Sequence, residues 1–306
     1  MRCVGATIQT NYQCLPQAAQ TDNTNNLFIM PTDTPKMLKI TKITTETLRV
    51  KTFYFNYPLN SRPGQFVMVW IPGVDQKPFS IGYDDGKKFG LTVCAVGNFS
   101  KKFSTMKVGE KVGVSGPYGT SFSLKSNTHY ITVAGGYGAA PLGYLAEEAS
   151  KLKNVKIDFL LGAKSCDSIL FEKRLSKLKN TTVHCATNDG SKGYRGFVTD
   201  FLKQHINTPT HQHLNPSTLK HVLVCACGPE LMEKKVLDIC NEHKINCEVS
   251  IERYMKCGLG VCGQCAVDDL GICMCTHGPV VSRELANKIK EFGVYHRDKS
   301  GAKHNF

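Results

Sequence analysis

Residues 130–141 read Tyr130-Ile131-Thr132-Val133-Ala134-Gly135-Gly136-Tyr137-Gly138-Ala139-Ala140-Pro141. The first five have the composition of a buried strand. Three glycines then make a turn, and Pro141 suits the first position of a helix whose Leu142, Leu145, Ala149 and Leu152 fall on one face. The same rhythm repeats downstream. Strand VKIDFLLG (155–162) is followed by a predicted helix ILFEKRLSKL (169–178), strand TTVHCAT (181–187) and a helix near GFVTDFL (196–202). HVLVCACGP (221–229) is a further strand, leading to a helix that runs to about His243. Strands alternating with helices predict a parallel sheet covered on its faces, here over 128–248.

The glycine turn has chemical meaning in that setting. Gly135, Gly136 and Gly138 allow backbone amides to approach a pyrophosphate at a helix N-terminus. The turn departs from the G-x-G-x-x-G fingerprint, since Pro141 stands in the third glycine's place, and a plain tight turn is the rival reading. A second turn, Cys227-Gly228-Pro229, ends another predicted strand. Ligands in open α/β sheets sit at the carboxyl ends of strands, where both turns lie.

Working back toward the N-terminus, residues 37–127 carry a β signal. The segments TLRVKTFYF (47–55), QFVMVWI (65–71), KFGLTVCAV (88–96) and EKVGVSG (110–116) are rich in β-branched and aromatic residues. Turns at Arg62-Pro63-Gly64, Pro72-Gly73, Val108-Gly109 and Gly116-Pro117 separate them. Short strands at this spacing predict a small antiparallel barrel of Greek-key type.

Working forward, the chain reaches Cys257-Gly-Leu-Gly-Val-Cys262-Gly-Gln-Cys265 and then Cys273 and Cys275. The first three cysteines have plant-type C-x4-C-x2-C spacing for a 2Fe-2S cluster. Small residues between them let the backbone wrap inorganic sulfide. A fourth thiolate is needed, and Cys273 and Cys275 are both candidates. Structural zinc is the alternative, but zinc sites usually pair two C-x2-C units, and only Cys262 and Cys265 have that spacing.

Composition fits a redox protein of about two domains with real cores. The chain has 306 residues, 41% of them hydrophobic, and 14 cysteines. No apolar run approaches the length of a membrane span, and residues 1–30 lack the pattern of a secretory signal. A reducing, cytoplasmic compartment with free and cluster-bound thiols is therefore expected. The formal net charge is +13, but no nucleic-acid motif accompanies it. The expectation is a solvated basic surface, with neither nucleic acid nor membrane as partner. Residues 1–36, rich in Thr, Asn and Gln, read as a flexible extension, and the basic tail 287–306 as loose from Phe292 onward.

From about Met37 to Ala286 this order resembles the ferredoxin-NAD(P) reductase superfamily. It is most similar to the electron-transfer subunits of class B dihydroorotate dehydrogenase. The specific segments are Glu252-Arg253-Tyr254-Met255-Lys256-Cys257 with the cysteine run, Cys275-Thr-His-Gly278-Pro279-Val280, and Asn188-Asp189-Gly190-Ser191 followed by Gly196-Phe197-Val198-Thr199-Asp200. The resemblance implies FAD on the barrel, NAD on 128–248, and a 2Fe-2S segment at 249–286. It favours Cys257, Cys262, Cys265 and Cys275 as ligands, with Cys273 outside the set.

It further implies flavin contacts from Lys77, Pro78, Phe79 and Ser80, where the family carries an Arg-x-Tyr-Ser-like strand. Gly97 and Ser100 would face the FAD phosphates. Lysine would meet a pyrophosphate as a point charge without arginine's fork. Taken alone, Phe79 reads as core and Lys77 as solvated. Gly228 and Pro229 would position nicotinamide, with Cys227 nearby or simply a small buried thiol. Asp189 reads more simply as a turn residue. Lys164 leaves NADP open, while the family favours NAD.

The implied function is electron transfer in pyrimidine biosynthesis. Electrons would pass from an FMN-containing dihydroorotate dehydrogenase catalytic subunit through 2Fe-2S and FAD to NAD+, within a hetero-oligomer, a heterotetramer. Leu259 and Val261, between glycines of the cysteine run, are candidates for packing on that partner. Two rivals are a flavin subunit of a sulfhydrogenase or bifurcating NAD(P)H oxidoreductase, and a non-enzymatic zinc module.

Overall fold

The computed structural model describes residues 34–207 and 221–306. The expected extension at 1–36 lies outside these residues except for its last three positions. No helix among the described residues is long and apolar enough to cross a membrane.

Six antiparallel strands close a barrel: β1 (Lys36–Thr47), β2 (Val50–Phe55), β3 (Phe66–Ile71), β4 (Asp75–Asp84), β5 (Phe89–Cys94) and, after the short helix α1 (Asn98–Ser104), β6 (Lys111–Tyr118). Their order around the ring is β1-β2-β5-β4-β3-β6, and every neighbouring pair is antiparallel. Alternation fills the interior with Phe53, Phe55, Val67, Val69, Phe89 and Leu91. Helix α1 plugs one end, and its Phe103 stacks on Phe53 at 4.6 Å. Strand β3 is buried on both faces. Val67 and Val69 point into the barrel, while Phe66 and Met68 join the core of the neighbouring α/β region.

That region begins with β7 (His129–Gly135), a one-turn 3-10 segment (Gly136–Gly138) and α2 (Ala139–Ala149). It continues through β8 (Lys156–Ala163), α3 (Glu172–Leu175), β9 (Thr181–Thr187), β10 (Tyr194–Arg195), α4 (Val198–Ile206) and β11 (Val222–Cys227). The helix Glu230–Glu242 and β12 (Asn246–Ser250) follow. The sheet order is β10-β9-β8-β7-β11-β12-β13, with β13 (Val280–Ser282) the one antiparallel strand. Strand order reverses at β7, which lies between β8 and β11. A ligand crevice is expected at such a reversal, at the carboxyl ends of β7 and β11.

Two expectations fail. The helix over 169–178 shrinks to Glu172–Leu175, because Phe171 enters it in a left-handed conformation (φ 60°). Arg174 is instead drawn toward the barrel, where its guanidinium donates to both Glu147 oxygens and to the Gly82 carbonyl. The tail is not loose either. Ile289 and Phe292 are buried, and β14 (Tyr295–Arg297) pairs with β15 (Lys303–Asn305). Its basic residues meet a counter-charge: Arg297 lies 2.8 Å from Asp268 and Lys303 3.4 Å from it.

Candidate redox and dinucleotide site

The cysteine run folds as an irregular loop seated on β3 and β6. A Cβ added to Gly258 would lie 2.9 Å from the Tyr118 ring and 3.2 Å from Met68. The loop turns its amides toward sulfur. Leu259 N–H donates to Cys257 Sγ (3.3 Å), Gly260 N–H to Cys275 Sγ (3.1 Å) and Cys275 N–H to Cys265 Sγ (3.3 Å). Gly260 reaches this orientation at φ 74°, where a side chain would be strained. The thiols of Cys257 and Cys262 are neighbours, as are those of Cys265 and Cys275.

Cys273 also lies beside Cys265, but its Sγ faces the Gly260 carbonyl at 4.0 Å. A sulfur that receives amides is set up as a thiolate ligand, whereas one that faces a carbonyl is set up as a thiol donor. Burial works against ionising Cys257, but the Cys262 and Leu259 amides outweigh it and bring this thiol down to about 7. Burial pushes the Cys265 thiol up to about 11.

A buried ion network underlies the loop. Arg253 donates to Glu230 (2.6 Å), Glu291 (3.1 Å) and the Glu252 carbonyl (2.8 Å). Glu291 in turn accepts the Asp268 amide, and Glu230 accepts the Gly293 amide. Arg253 thereby ties the start of the cluster segment to the first turn of helix Glu230–Glu242 and to the C-terminal stretch. Nothing local in the segment 252–257 announces this role for Arg253. Glu230 and Glu291 left no signal, because their partners are distant in sequence.

The two glycine turns meet. A Cβ on Gly138 would lie 2.1 Å from the Cys227 carbonyl oxygen, and one on Gly135 would lie 2.7 Å from Pro229. Gly228 packs back on Gly135 with equal intimacy. Gly136 differs, since a Cβ there would meet nothing within 4 Å. Two of the three glycines therefore serve the contact between the turns, and only Gly136 faces open space.

Beneath this contact sits Glu233, fully buried. One of its oxygens accepts the Gly228 amide at 2.9 Å, and the other has no hydrogen-bond partner among the described residues. Burial, reinforced by Glu230 and Glu252, raises its carboxyl well above the usual range despite the Gly228 amide and Arg253. Burial likewise holds Cys227 as a neutral thiol, with Glu233 adding to the effect. Tyr137, half-exposed above the turn, is pushed up to about 12 by Glu252 and by burial.

Lys77, Pro78, Phe79 and Ser80 form a half-buried strip of β4. Phe79 packs edge-on against Phe103 (5.5 Å) and near Phe99 (5.8 Å), so its ring belongs to the barrel core. The same contacts bring the strip close to the Gly97–Ser100 segment. Lys77 pairs with Asp75 (2.7 Å) and donates to the Tyr254 hydroxyl (3.0 Å), linking barrel and cluster segment. The Ser100 hydroxyl accepts the Val96 and Gly97 amides, which ties it to the start of α1. Gly82, farther along β4, packs on Ala140 just after the glycine turn, so strip and turn lie side by side. Asp189 accepts the Ser191 amide and hydroxyl, as the turn reading expects, and Lys164 accepts the Asp189 amide at its carbonyl.

Comparison with known proteins agrees with this layout. A family model for the iron-sulfur cluster binding domain of dihydroorotate dehydrogenase B matches residues 252–285, and one for the oxidoreductase NAD-binding domain matches 132–238. A Methanocaldococcus jannaschii protein named probable dihydroorotate dehydrogenase B (NAD(+)), electron transfer subunit, is 42% identical over 269 residues, 88% of this chain and 98% of that protein. A Methanothermobacter thermautotrophicus protein of the same name is 36% identical over 87% of this chain and 96% of its own length. The solved structure of an NADH-dependent reduced ferredoxin-NADP oxidoreductase superposes with a TM-score of 0.69 at 25% identity, over 81% of this chain and 89% of that one. On sequence identity and coverage together, this chain belongs to the family of dihydroorotate dehydrogenase B electron transfer subunits.

Proposed function

We propose that the chain is the electron-transfer subunit of an NAD-dependent dihydroorotate dehydrogenase, linking a separate FMN-containing catalytic subunit to NAD+ through a 2Fe-2S cluster and FAD. When bound, these groups divide the chemistry: the cluster carries single electrons, nicotinamide takes a hydride, and the flavin handles both. The observation that carries the reading is the set of amides aimed at Cys257, Cys265 and Cys275.

Cys257, Cys262, Cys265 and Cys275 hold the cluster, and Cys273 does not. The barrel (37–127) would hold FAD, with Pro78 and Ser80 as its flavin contacts. Gly97 and Ser100, at the first turn of α1, would hold its phosphates. Lys77 positions the cluster segment through Tyr254 rather than standing free for a pyrophosphate. NAD takes the crevice of 128–248, with Gly136 giving it room and the Cys227-Gly228-Pro229 turn, set by Gly135 and Gly138, positioning nicotinamide. The neutral Cys227 thiol and neutral Glu233 keep negative charge away from that turn. The cluster segment (249–286) exposes Leu259 and Val261 toward the partner. A cytoplasmic location suits a chain whose 14 cysteines must stay reduced or cluster-bound.

The test is catalytic. The isolated, cofactor-loaded chain should oxidise NADH with ferricyanide as acceptor and leave dihydroorotate untouched. Dihydroorotate oxidation by the pure chain would refute this division of labour.

A further inference from the structure

On the face of the sheet that α4 covers, β7, β8 and β9 carry a second cluster of ligand-type side chains. His129 starts β7, Asp158 is the third residue of β8, and His184 is the fourth of β9. Ile131, Leu160 and Ala186 lie in the core beneath α4. Each stands two positions from one of the three polar residues, so strand alternation aims all three at α4. His205, in the last turn of α4, meets them. Three adjacent strands and one helix thus converge on one point at the rim of an apolar core.

The spacing admits a metal ion. One nitrogen each of His184 and His205 and a carboxylate oxygen of Asp158 all lie within 4.8 Å of one another. His205 Nε2 is 3.3 Å from Asp158 Oδ2. Ligands about 2.0 Å from a tetrahedral ion stand about 3.3 Å apart. The His184 and His205 ring centroids are 5.1 Å apart. His129 Nε2 lies 2.7 Å from the same Asp158 Oδ2, the kind of hydrogen bond that orients a ligating carboxylate.

His129 and His205 both reach Asp158 Oδ2. His184 has a nitrogen within 4.8 Å of that carboxylate and of a His205 nitrogen, and its ring also lies 5.7 Å from that of Phe201. Among the described residues, Lys156 Nζ opposes a cation, 3.4 Å from Asp158 on a side chain 56% exposed.

We propose that Asp158, His184 and His205 bind a borderline divalent metal ion of the zinc class, with His129 bracing the carboxylate. Two imidazoles and a carboxylate suit zinc over magnesium or calcium, which prefer all-oxygen shells. The ion pins β8 and β9 to α4, remote from the redox loops, so its role is structural.

The test uses the full chain carrying flavin and cluster, stripped of loose divalent ions and titrated with zinc alone. One equivalent should bind and raise Tm. Zinc-edge X-ray absorption should show nitrogen and oxygen neighbours at about 2.0 Å. His184→Gln should weaken binding beyond the roughly 10–100-fold typical of lost outer partners. Its flavin and cluster absorbance and NADH oxidation should stay unchanged. The proposal is overturned if no stoichiometric zinc binds, if His184→Gln keeps the original affinity, or if the neighbours are sulfur at about 2.3 Å. Should His184→Gln fail to fold, His205→Gln is read the same way, and the absorption measurement on unaltered protein decides alone.

Discussion

The loops 135–138 and 257–265 are both glycine-rich, yet their glycines do different things. In the first, Gly135 and Gly138 are filled by the Cys227-Gly228-Pro229 turn, and only Gly136 faces space. In the second, glycines let the backbone turn its amides inward onto sulfur, as at Gly260. The first loop is a protein–protein fit that leaves one opening. The second is a cage built for something that is not protein. Glycine content announces permissive backbone, and only the surroundings say what uses it.

The largest expected effect breaks the cage. Cys275→Ser should abolish the cluster, seen as lost iron, lost acid-labile sulfide and a missing reduced-state EPR signal, while Cys273→Ser should keep all three. The reverse result would assign the fourth ligand to Cys273. Next comes the fit between turns. Gly138→Ala must push the Cys227 carbonyl aside, and a misplacement of about 1 Å at a positioning turn costs about 100-fold in rate. NADH–ferricyanide activity should fall by that order with the cluster spectrum intact. Gly136→Ala meets no protein atom within 4 Å, so both turns should stay in place. Its methyl enters the space left for NAD, so the loss should appear as a raised KM for NADH with kcat little changed, beside about 1 kcal/mol of backbone strain. A fall in kcat as large as that of Gly138→Ala would erase the distinction between filled and open glycines.

A smaller effect sharpens the same contact. Below the ordinary glutamate pKa of about 4.3, Glu233 is protonated in both folded and unfolded chains. Above it the unfolded chain ionises while the buried carboxyl stays neutral, so wild-type stability falls as pH rises toward the folded pKa. Glu233→Gln lacks that loss. Denaturant titrations should show the two proteins alike in acid and the variant progressively ahead as pH rises. A gap independent of pH would mean that Glu233 is ionised beneath the turn.

Much of this was legible in the sequence. Strand and helix alternation placed β7, β8, β9 and β11 to within a residue or two, because each is a compact apolar run bounded by turn residues. The cysteine spacing named the cluster loop for the same local reason. What escaped depends on partners far along the chain. Residues 169–178 look helical by composition, but Phe171 and the reach of Arg174 for Glu147 reduce them to one turn. The tail looks solvated until Asp268 and Arg253 gather its charges. His129, Asp158 and His184 look unrelated until strand register puts them on one face. The tie of Lys77 to Tyr254 is visible only once barrel and cluster segment touch.

The most direct measurement mixes this chain with the FMN-containing catalytic subunit and follows NADH formation from dihydroorotate and NAD+. The account predicts rapid reduction only when both proteins are present. It predicts loss of that reduction in Cys275→Ser, and weakened assembly in Leu259→Glu, which would bury a charge at the contact. Undiminished dihydroorotate-to-NAD+ transfer by a chain lacking the cluster would contradict it.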